Sequence, residues 1–141
     1  MREARTIYAA IDGYASTCDA YHRVQMAPDG EEIVRAMSMA IERSGHPREE
    51  IGYVSYHGTS TVLNDAIESR SVREVFGRYA DQLPGSSVKS MVGHPQGASG
   101  AAGIVTAALA MTETVPAADD QPDRSRSGVR SRLRGESRAS R

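Results

Sequence analysis

Two patterns of apolar positions alternate along residues 1–115: short continuous runs, and longer segments that predict helices. Short apolar runs at Thr6–Tyr14, Ile51–Tyr56 and Gly85–Val88 predict three strands. A segment with apolar residues at helical spacing follows each run, so the predicted order is strand, helix, strand, helix, short strand, helix. This order favours a layered α/β fold, in which the helices cover the faces of a sheet.

The first predicted helix has sequence signals at both ends. Asp29 and Glu32 have the spacing of a capping box, in which side chains bond the free backbone N–H groups of the first turn. Gly45 suits the left-handed position after the last turn, and Pro47 prevents continuation. We therefore predict a helix between these two boundaries.

The other two predicted helices differ in apolar content. In the second, Asn64 or Asp65 is the predicted cap and Gly77 the stop. Its apolar positions lie at helical spacing, which predicts one buried face. The third, Ala98–Met111, is almost wholly small or apolar, and this pattern predicts burial on all sides.

Composition and charge favour one soluble domain and argue against several classes of protein. The 141 residues have room for one domain, and 39% hydrophobic and 25% charged residues are near the average for soluble globular proteins. Residues 1–115 carry ten basic and fourteen acidic residues, which argues against nucleic-acid binding. Cys18 is the single cysteine, so an internal disulfide and a cysteine-rich zinc site are excluded. With no signal peptide or membrane span predicted, we expect a cytoplasmic protein.

The character of the sequence changes after Pro116. Residues 116–141 carry seven arginines and two bulky apolar residues, so they cannot bury enough surface to offset the entropy of ordering. We therefore predict a folded part over residues 1–115 and a disordered Arg/Ser-rich tail over residues 116–141. Binding of nucleic acid or anionic lipid by the tail is the alternative, although it has neither aromatic residues nor an amphipathic period.

Two short motifs carry the candidate chemistry. His57 ends the second predicted strand and opens the small polar turn His57–Thr61, and His94 lies in the Gly/Ser-rich segment Ser87–Gly100. Such turns leave backbone N–H groups and a titratable side chain facing one crevice. Two imidazoles that converge on a carbonyl can donate hydrogen bonds to a developing enolate or oxyanion. Lys89 is placed to orient one histidine or to hold a carboxylate.

Other interpretations of the same residues stay open at this point. His57 with Asp65 and Glu68 has the residue types of a metal site, although both carboxylates also suit the N-terminal end of a helix. The glycines from Gly93 to Gly100 resemble a phosphate cradle but lack the Lys-Ser/Thr ending of a P-loop. A structural hydrogen-bonding role for each histidine is the plainest alternative.

Together the two motifs resemble those of the elongating β-ketoacyl-[acyl-carrier-protein] synthases. The segment Tyr56–Glu68 resembles the first histidine motif of that family, and Ser87–Ala101 resembles its lysine and second histidine motif. Asp19–His22 is also similar, and the likeness runs from about Arg5 to about Met111. The resemblance implies an α/β, thiolase-like layered fold, of which this chain is the C-terminal half in the order βαβα.

The resemblance also implies a reaction. Members of this family carry out a decarboxylative Claisen condensation in fatty acid or polyketide synthesis, using a malonyl thioester delivered on acyl carrier protein. By motif, His57 and His94 would bind the malonyl thioester carbonyl and stabilise the enolate, with Lys89 supporting the pair. Thr59 and Thr61 would contact the phosphopantetheine arm.

The resemblance also has implications for structural support of the site, for cofactors and for partners. Asp65 and Glu68 would support the site structurally. No metal or resident cofactor is expected, because phosphopantetheine is carried by the acyl carrier protein. The expected partners are acyl carrier protein and either a cysteine-bearing N-terminal half or a second subunit, with no nucleic acid and no membrane.

Three departures from the family pattern bear on activity. The family's nucleophilic cysteine lies in its N-terminal half, before the point where this chain begins, so we expect no acyl-enzyme on this chain alone. Gly103 stands where many relatives carry a glutamate that pairs with the lysine. The tail replaces the family's final strands, for which a change of reading frame near Pro116 is our hypothesis. An inactive remnant and a non-catalytic module that binds acyl carrier protein or acyl thioesters are the alternatives to a completed synthase site.

Overall fold

The structure is a computed structural model in which residues 7–113 are described. Within this range the chain forms, in order, α1 Glu31–Ser44, β1 Val54–Ser55, α2 Val62–Phe76, β2 Gly85–Ser86, α3 Lys89–Val92 and α4 Ser99–Glu113. Short 3-10 turns lie between them at Arg48–Glu50, Gly77–Asp81 and Gln96–Ala98. The predicted tail, residues 116–141, lies outside the described residues.

The two strands and the helices form the predicted α/β layers. Strands β1 and β2 are parallel neighbours, with Val54 opposite Gly85 and Ser55 opposite Ser86. Helix α2 is the crossover between them, α1 packs against α2, and α4 packs against β1. Because the strands are parallel, the segments that follow them leave the sheet at the same edge. None of the described helices is long and apolar enough to cross a membrane.

The core lies on the apolar face of α2. Val72, Val75 and Phe76 are buried there together with Leu83, and side chains of α1 and β1 pack against them. The helical spacing that predicted this face is therefore confirmed. The predicted ends at Gly45 and Gly77 are confirmed as well, since both glycines follow the last helical residue with positive φ.

Both predicted N-terminal caps are displaced. Helix α1 begins after Gly30, which has φ 72°, and the Asp29 carboxylate accepts a bond from the N–H of Glu31 at 3.1 Å without capping the helix. Helix α2 begins after Thr61, so that Asn64 and Asp65 lie inside its first turn and are buried. At the start of α1 close packing against α2 accounts for the glycine, because a Cβ on Gly30 would lie 2.8 Å from Ser71 Oγ and 3.0 Å from Ile67 Cγ2.

The first predicted strand is absent from the described structure. Residues 7–14 have no regular secondary structure and lie along the end of α1, where Arg43 Nη1 donates to the Tyr14 carbonyl at 2.8 Å. A Cβ on Gly13 would lie 2.1 Å from the Ala40 carbonyl oxygen, which shows how close this approach is. An apolar run becomes a strand only beside another strand, and no strand in the described range lies next to this one.

The expectation that α4 is buried on all sides is wrong for the described residues. Ile104 and Val105 are 55% and 57% exposed, and Leu109 and Met111 are exposed too. Small residues allow α4 to approach β1 closely, with Gly103 lying against Ser55. An apolar sequence therefore predicts that a helix can be buried, whereas the elements packed around it decide how much of it is.

A histidine near the end of α1 links two segments of the chain. His46 Nε2 lies 3.2 Å from Asp12 Oδ2, and its Nδ1 lies 3.4 Å from Glu50 Oε2. The hydrogen bond to Asp12, followed by the bond to Glu50, raises the pKa of His46 above its ordinary value of 6.5. The protonated ring therefore holds residues 7–14 beside the turn that follows α1.

This contact predicts a pH-dependent contribution to stability. Because the folded-state pKa of His46 is raised, its contribution is fully present below about pH 6.5 and is lost as the pH rises through the folded-state pKa. We expect His46→Gln to lower the urea midpoint at about pH 5.5 and to leave it nearly unchanged at about pH 8.5. Glu49→Gln, at a carboxylate that neither ring nitrogen contacts, is the control. Equal losses at both pH values for His46→Gln would contradict the linkage.

Candidate functional site

The peptide groups of His57 are held on both sides of the turn after β1. Its N–H donates to Glu68 Oε1 at 2.6 Å, and the next N–H, of Gly58, donates to Glu68 Oε2 at 3.0 Å. Its carbonyl oxygen accepts bonds from Lys89 Nζ at 2.7 Å and from Ser87 Oγ at 3.2 Å. A carboxylate from α2 and an ammonium from α3 therefore fix the backbone that carries the imidazole.

Close packing also fixes the residue after His57. Gly58 has φ 49°, a left-handed conformation that side chains disfavour. A Cβ at this position would lie 2.5 Å from Ser87 Cβ. Glycine is therefore required both by the backbone conformation and by the approach of the segment that follows β2.

The second histidine is oriented by its own turn. His94 Nδ1 accepts the backbone N–H of Gln96 at 3.0 Å and lies 3.3 Å from Ser99 Oγ. A ring nitrogen that accepts a backbone N–H carries no proton, so the neutral imidazole bears its proton on Nε2. The Nε2–H donor therefore points away from the turn that holds the ring.

The structure brings the two imidazoles together. The ring centroids of His57 and His94 are 5.3 Å apart, and the planes meet at 77° in an edge-to-face contact. At this separation the two rings are direct neighbours. The arrangement follows from the parallel strands, because β1 leads into one histidine turn and β2 into the segment that holds the other.

The electrostatic surroundings keep the first ring neutral. Burial of part of the ring lowers the pKa of His57 below 6.5, and the positive charge of Lys89 lowers it further, while Glu68 opposes the shift. At neutral pH His57 is therefore a neutral hydrogen-bond donor beside a fixed positive charge. Such a site favours an acceptor on which negative charge develops.

The His57 turn lies between two clefts. One, of about 480 Å³, is bordered by Lys89 and by the small residues Gly100 and Gly103 of α4. The other, of about 570 Å³, is bordered by Thr59 and Thr61 and by the apolar residues Val24, Met26, Ile33 and Leu63. The two threonine hydroxyl oxygens lie 3.2 Å apart at this second cleft.

The two carboxylates singled out from the sequence bind neighbouring groups of the chain. Glu68 uses both oxygens on backbone N–H groups, and Asp65 is buried and accepts a bond from Asn64 Nδ2 at 3.0 Å. In the described range no three His, Cys, Asp or Glu side chains are grouped so as to hold a metal ion. The alternative of a metal on His57, Asp65 and Glu68 therefore has no support in this geometry.

Sequence reasoning missed two contributors to the site. Asn64, taken as a possible cap and as part of the first histidine motif but given no role in the site, donates from Nδ2 to Asp65 Oδ1 at 3.0 Å and to Glu68 Oε2 at 3.3 Å. Ser87 binds the His57 carbonyl, as described above. The available signal for Asn64 was its position four residues before a glutamate on a helix, where the two side chains are neighbours.

Comparisons with known proteins agree on one family. A model of the beta-ketoacyl synthase C-terminal domain matches residues 8–118. The 3-oxoacyl-[acyl-carrier-protein] synthase 2 of Synechocystis sp. is 42% identical over 107 residues, covering 76% of this chain and 26% of that protein. The protein of the same name from Staphylococcus aureus is 41% identical over 108 residues, covering 77% of this chain and 27% of that protein.

Solved structures give the same result for the fold. One match is to a chain in the structure of a type II polyketide synthase acyl-carrier protein in complex with its ketosynthase. The TM-score is 0.71 and the identity 37%, and the match covers 74% of this chain and 26% of the matched chain. Ketosynthase twelve of the bacillaene polyketide synthase from Bacillus amyloliquefaciens matches with a TM-score of 0.70 and 27% identity. This match covers 83% of this chain and 22% of the ketosynthase chain. The chain spans about a quarter of the length of the curated relatives it matches. The chain belongs to the beta-ketoacyl synthase family, and the part of that family it represents is the C-terminal domain.

Proposed function

We propose that this chain supplies the decarboxylating part of a β-ketoacyl-[acyl-carrier-protein] synthase in fatty acid or polyketide synthesis. In this proposal His57, His94 and Lys89 form the site at which a malonyl thioester loses carbon dioxide and its enolate is stabilised. The observation that carries the proposal is the contact between the two imidazoles, 5.3 Å apart beside a lysine ammonium.

The chemistry uses one N–H donor from each ring. The thioester carbonyl oxygen accepts a bond from His94 Nε2–H and from a ring N–H of His57. When the bond between the carboxylate carbon and the α-carbon breaks, carbon dioxide leaves and the electron pair moves into the enolate. Negative charge then develops on the oxygen, and both hydrogen bonds strengthen where the charge appears. The enolate carbon next attacks the acyl thioester, whose thiolate leaves. Where no acyl thioester is present, the enolate carbon takes a proton from water instead and gives the acetyl thioester.

Lys89 and the two threonines have supporting roles in the proposal. The Lys89 ammonium holds the His57 carbonyl and adds positive charge beside the developing enolate. The hydroxyls of Thr59 and Thr61 border the second cleft, where they can bond the amide groups of a phosphopantetheine arm. That arm arrives on acyl carrier protein, the partner we propose, and the site itself then requires no resident cofactor or metal.

The acyl-carrying cysteine belongs, in this proposal, to the remaining part of the synthase fold. Cys18 is exposed, and the proposal gives it no part in the chemistry. Condensation therefore needs a partner polypeptide or a second part of the same protein. Decarboxylation of the malonyl thioester needs only the donors described above once the site is completed.

Complementation tests the proposal. The chain is expressed with a separate polypeptide that carries the remaining part of the Synechocystis relative, and conversion of malonyl- to acetyl-acyl-carrier-protein is followed by mass spectrometry. We expect the complex to decarboxylate the malonyl thioester faster than either polypeptide alone. A complex that forms and binds malonyl-acyl-carrier-protein without decarboxylating it would support a binding module instead.

A further inference from the structure

A buried asparagine lies beside the site without a part in the proposed chemistry. Asn64 is 7% exposed in the first turn of α2, where asparagine is a poor helix former. A buried side-chain amide must find hydrogen-bond partners, because leaving it unpaired is costly. Its partners therefore indicate why this residue type stands there.

Both described partners of the Asn64 amide are carboxylates. Nδ2 donates to Asp65 Oδ1 at 3.0 Å and to Glu68 Oε2 at 3.3 Å. The amide nitrogen has two hydrogens, so it can donate to both carboxylates at once. It therefore joins two negatively charged side chains that would otherwise repel each other inside the first turns of one helix.

Glu68 transmits this contact to the His57 turn. Its two oxygens accept the N–H groups of His57 and Gly58 at 2.6 and 3.0 Å, and the oxygen bound to Gly58 is also the one bound to Asn64. A glutamate side chain has several rotatable bonds, and losing their freedom opposes a fixed geometry. The bond from Asn64 restrains the carboxylate in the orientation that serves both backbone groups.

We propose that Asn64 is a positioning residue for His57, acting through the Glu68 carboxylate. Asn64 fixes the carboxylate, the carboxylate fixes two successive peptide N–H groups, and these peptides set the place of the imidazole relative to His94. The link to catalysis rests on the proposed function, whereas the link to the His57 backbone rests on geometry alone.

Amide hydrogen exchange on the ¹⁵N-labelled full chain tests the geometric link. In Asn64→Ala the carboxylate loses one restraining donor, and we expect exchange at the His57 and Gly58 amides to accelerate about tenfold or more. Exchange at Val75 and Phe76, in the last turns of the same helix, should stay within about twofold of the wild type. Asn64→Asp, which replaces the donor by a third carboxylate, should accelerate exchange at the two turn amides at least as much.

A matched control is available on the same helix. Ser71 is 1% exposed, and its hydroxyl has no hydrogen-bond partner among the described residues, so Ser71→Ala removes a small buried polar group that does not bind the Glu68 carboxylate. We expect this variant to leave exchange at His57 and Gly58 unchanged. Should Asn64→Ala fail to fold, Asn64→Ser keeps a shorter donor and should show a smaller acceleration at the same two amides.

Each outcome decides the proposal. Faster exchange confined to the His57 and Gly58 amides supports it. Unchanged exchange at these amides overturns it, and so does an equal acceleration along the whole of α2, because that pattern describes general loss of helix stability. In the complemented synthase, Asn64→Ala should lower kcat for decarboxylation and leave KM for malonyl-acyl-carrier-protein within about twofold. If the wild-type complex is inactive but the exchange pattern holds, the proposed function fails and the positioning role stands.

Discussion

Replacing His94 by asparagine is expected to lower decarboxylation of the malonyl thioester by about 10²–10³-fold, the usual cost of removing one donor from an oxyanion site. The asparagine side-chain oxygen can take over the acceptor role of Nδ1 toward the Gln96 N–H, so the turn keeps its hydrogen bond. What the variant loses is the Nε2–H donor. The loss should therefore appear in kcat in the mass-spectrometric assay on the complemented synthase.

Two further variants serve as controls for this experiment. His94→Ala removes the donor and the turn contact together, so its loss should equal or exceed that of His94→Asn. His46→Ala removes an exposed imidazole whose partners are Asp12 and Glu50, and it should leave the rate nearly unchanged. A His94→Asn complex that decarboxylates at the wild-type rate would show that this ring is a structural hydrogen-bonding group and not a donor to substrate.

The second large effect is expected at Gly58. Gly58→Ala places a methyl group 2.5 Å from Ser87 Cβ in a backbone with φ 49°, so either the turn or the segment after β2 must move. We expect a loss of roughly 2 kcal/mol or more in the free energy of unfolding, together with a large loss of decarboxylation. Urea unfolding and the activity assay measure the two losses.

Gly100→Ala is the matched control for this glycine. Gly100 lies in the first turn of α4, and a Cβ there would meet no atom within 4 Å. Alanine is the better helix former by up to about 1 kcal/mol, so the variant should be as stable as the wild type or slightly more stable. If Gly58→Ala proves as stable as Gly100→Ala, the close packing of the His57 turn against Ser87 is not as described.

The meeting of the two histidine turns in the candidate site could be predicted because it depends on local patterns and strand direction. His57 was placed by the apolar run before it, and His94 by the glycine-rich segment that follows the next run. Parallel strands bring the segments after them to one edge, which is why two separate turns meet. The partner of Lys89 could not be predicted in the same way. The sequence left a histidine ring or a carboxylate as its expected partner, whereas in the structure Lys89 donates to the His57 carbonyl. Side chain to backbone bonds depend on distances that spacing does not give.

The wrong predictions share a physical cause. The run at residues 7–14 has strand composition, but pairing needs a neighbouring strand that the described part does not provide. The caps at Asp29 and Asn64 satisfied the local rule, whereas close packing at Gly30 and burial of Asn64 beside Glu68 moved the helix starts. Exposure of α4 was missed for the same reason. Tertiary contacts decide these features, and a single sequence contains them only indirectly.

In the proposed function both imidazoles donate to the same thioester oxygen. The most direct test is a titration of the ¹⁵N-histidine-labelled chain, in the complemented synthase, with acetyl pantetheine as the carbonyl-bearing probe. Our account predicts that the Nε2 resonance of His94 and a ring nitrogen resonance of His57 shift together and saturate at the same probe concentration. Binding of the probe with no shift at either ring, or at only one of them, would contradict it.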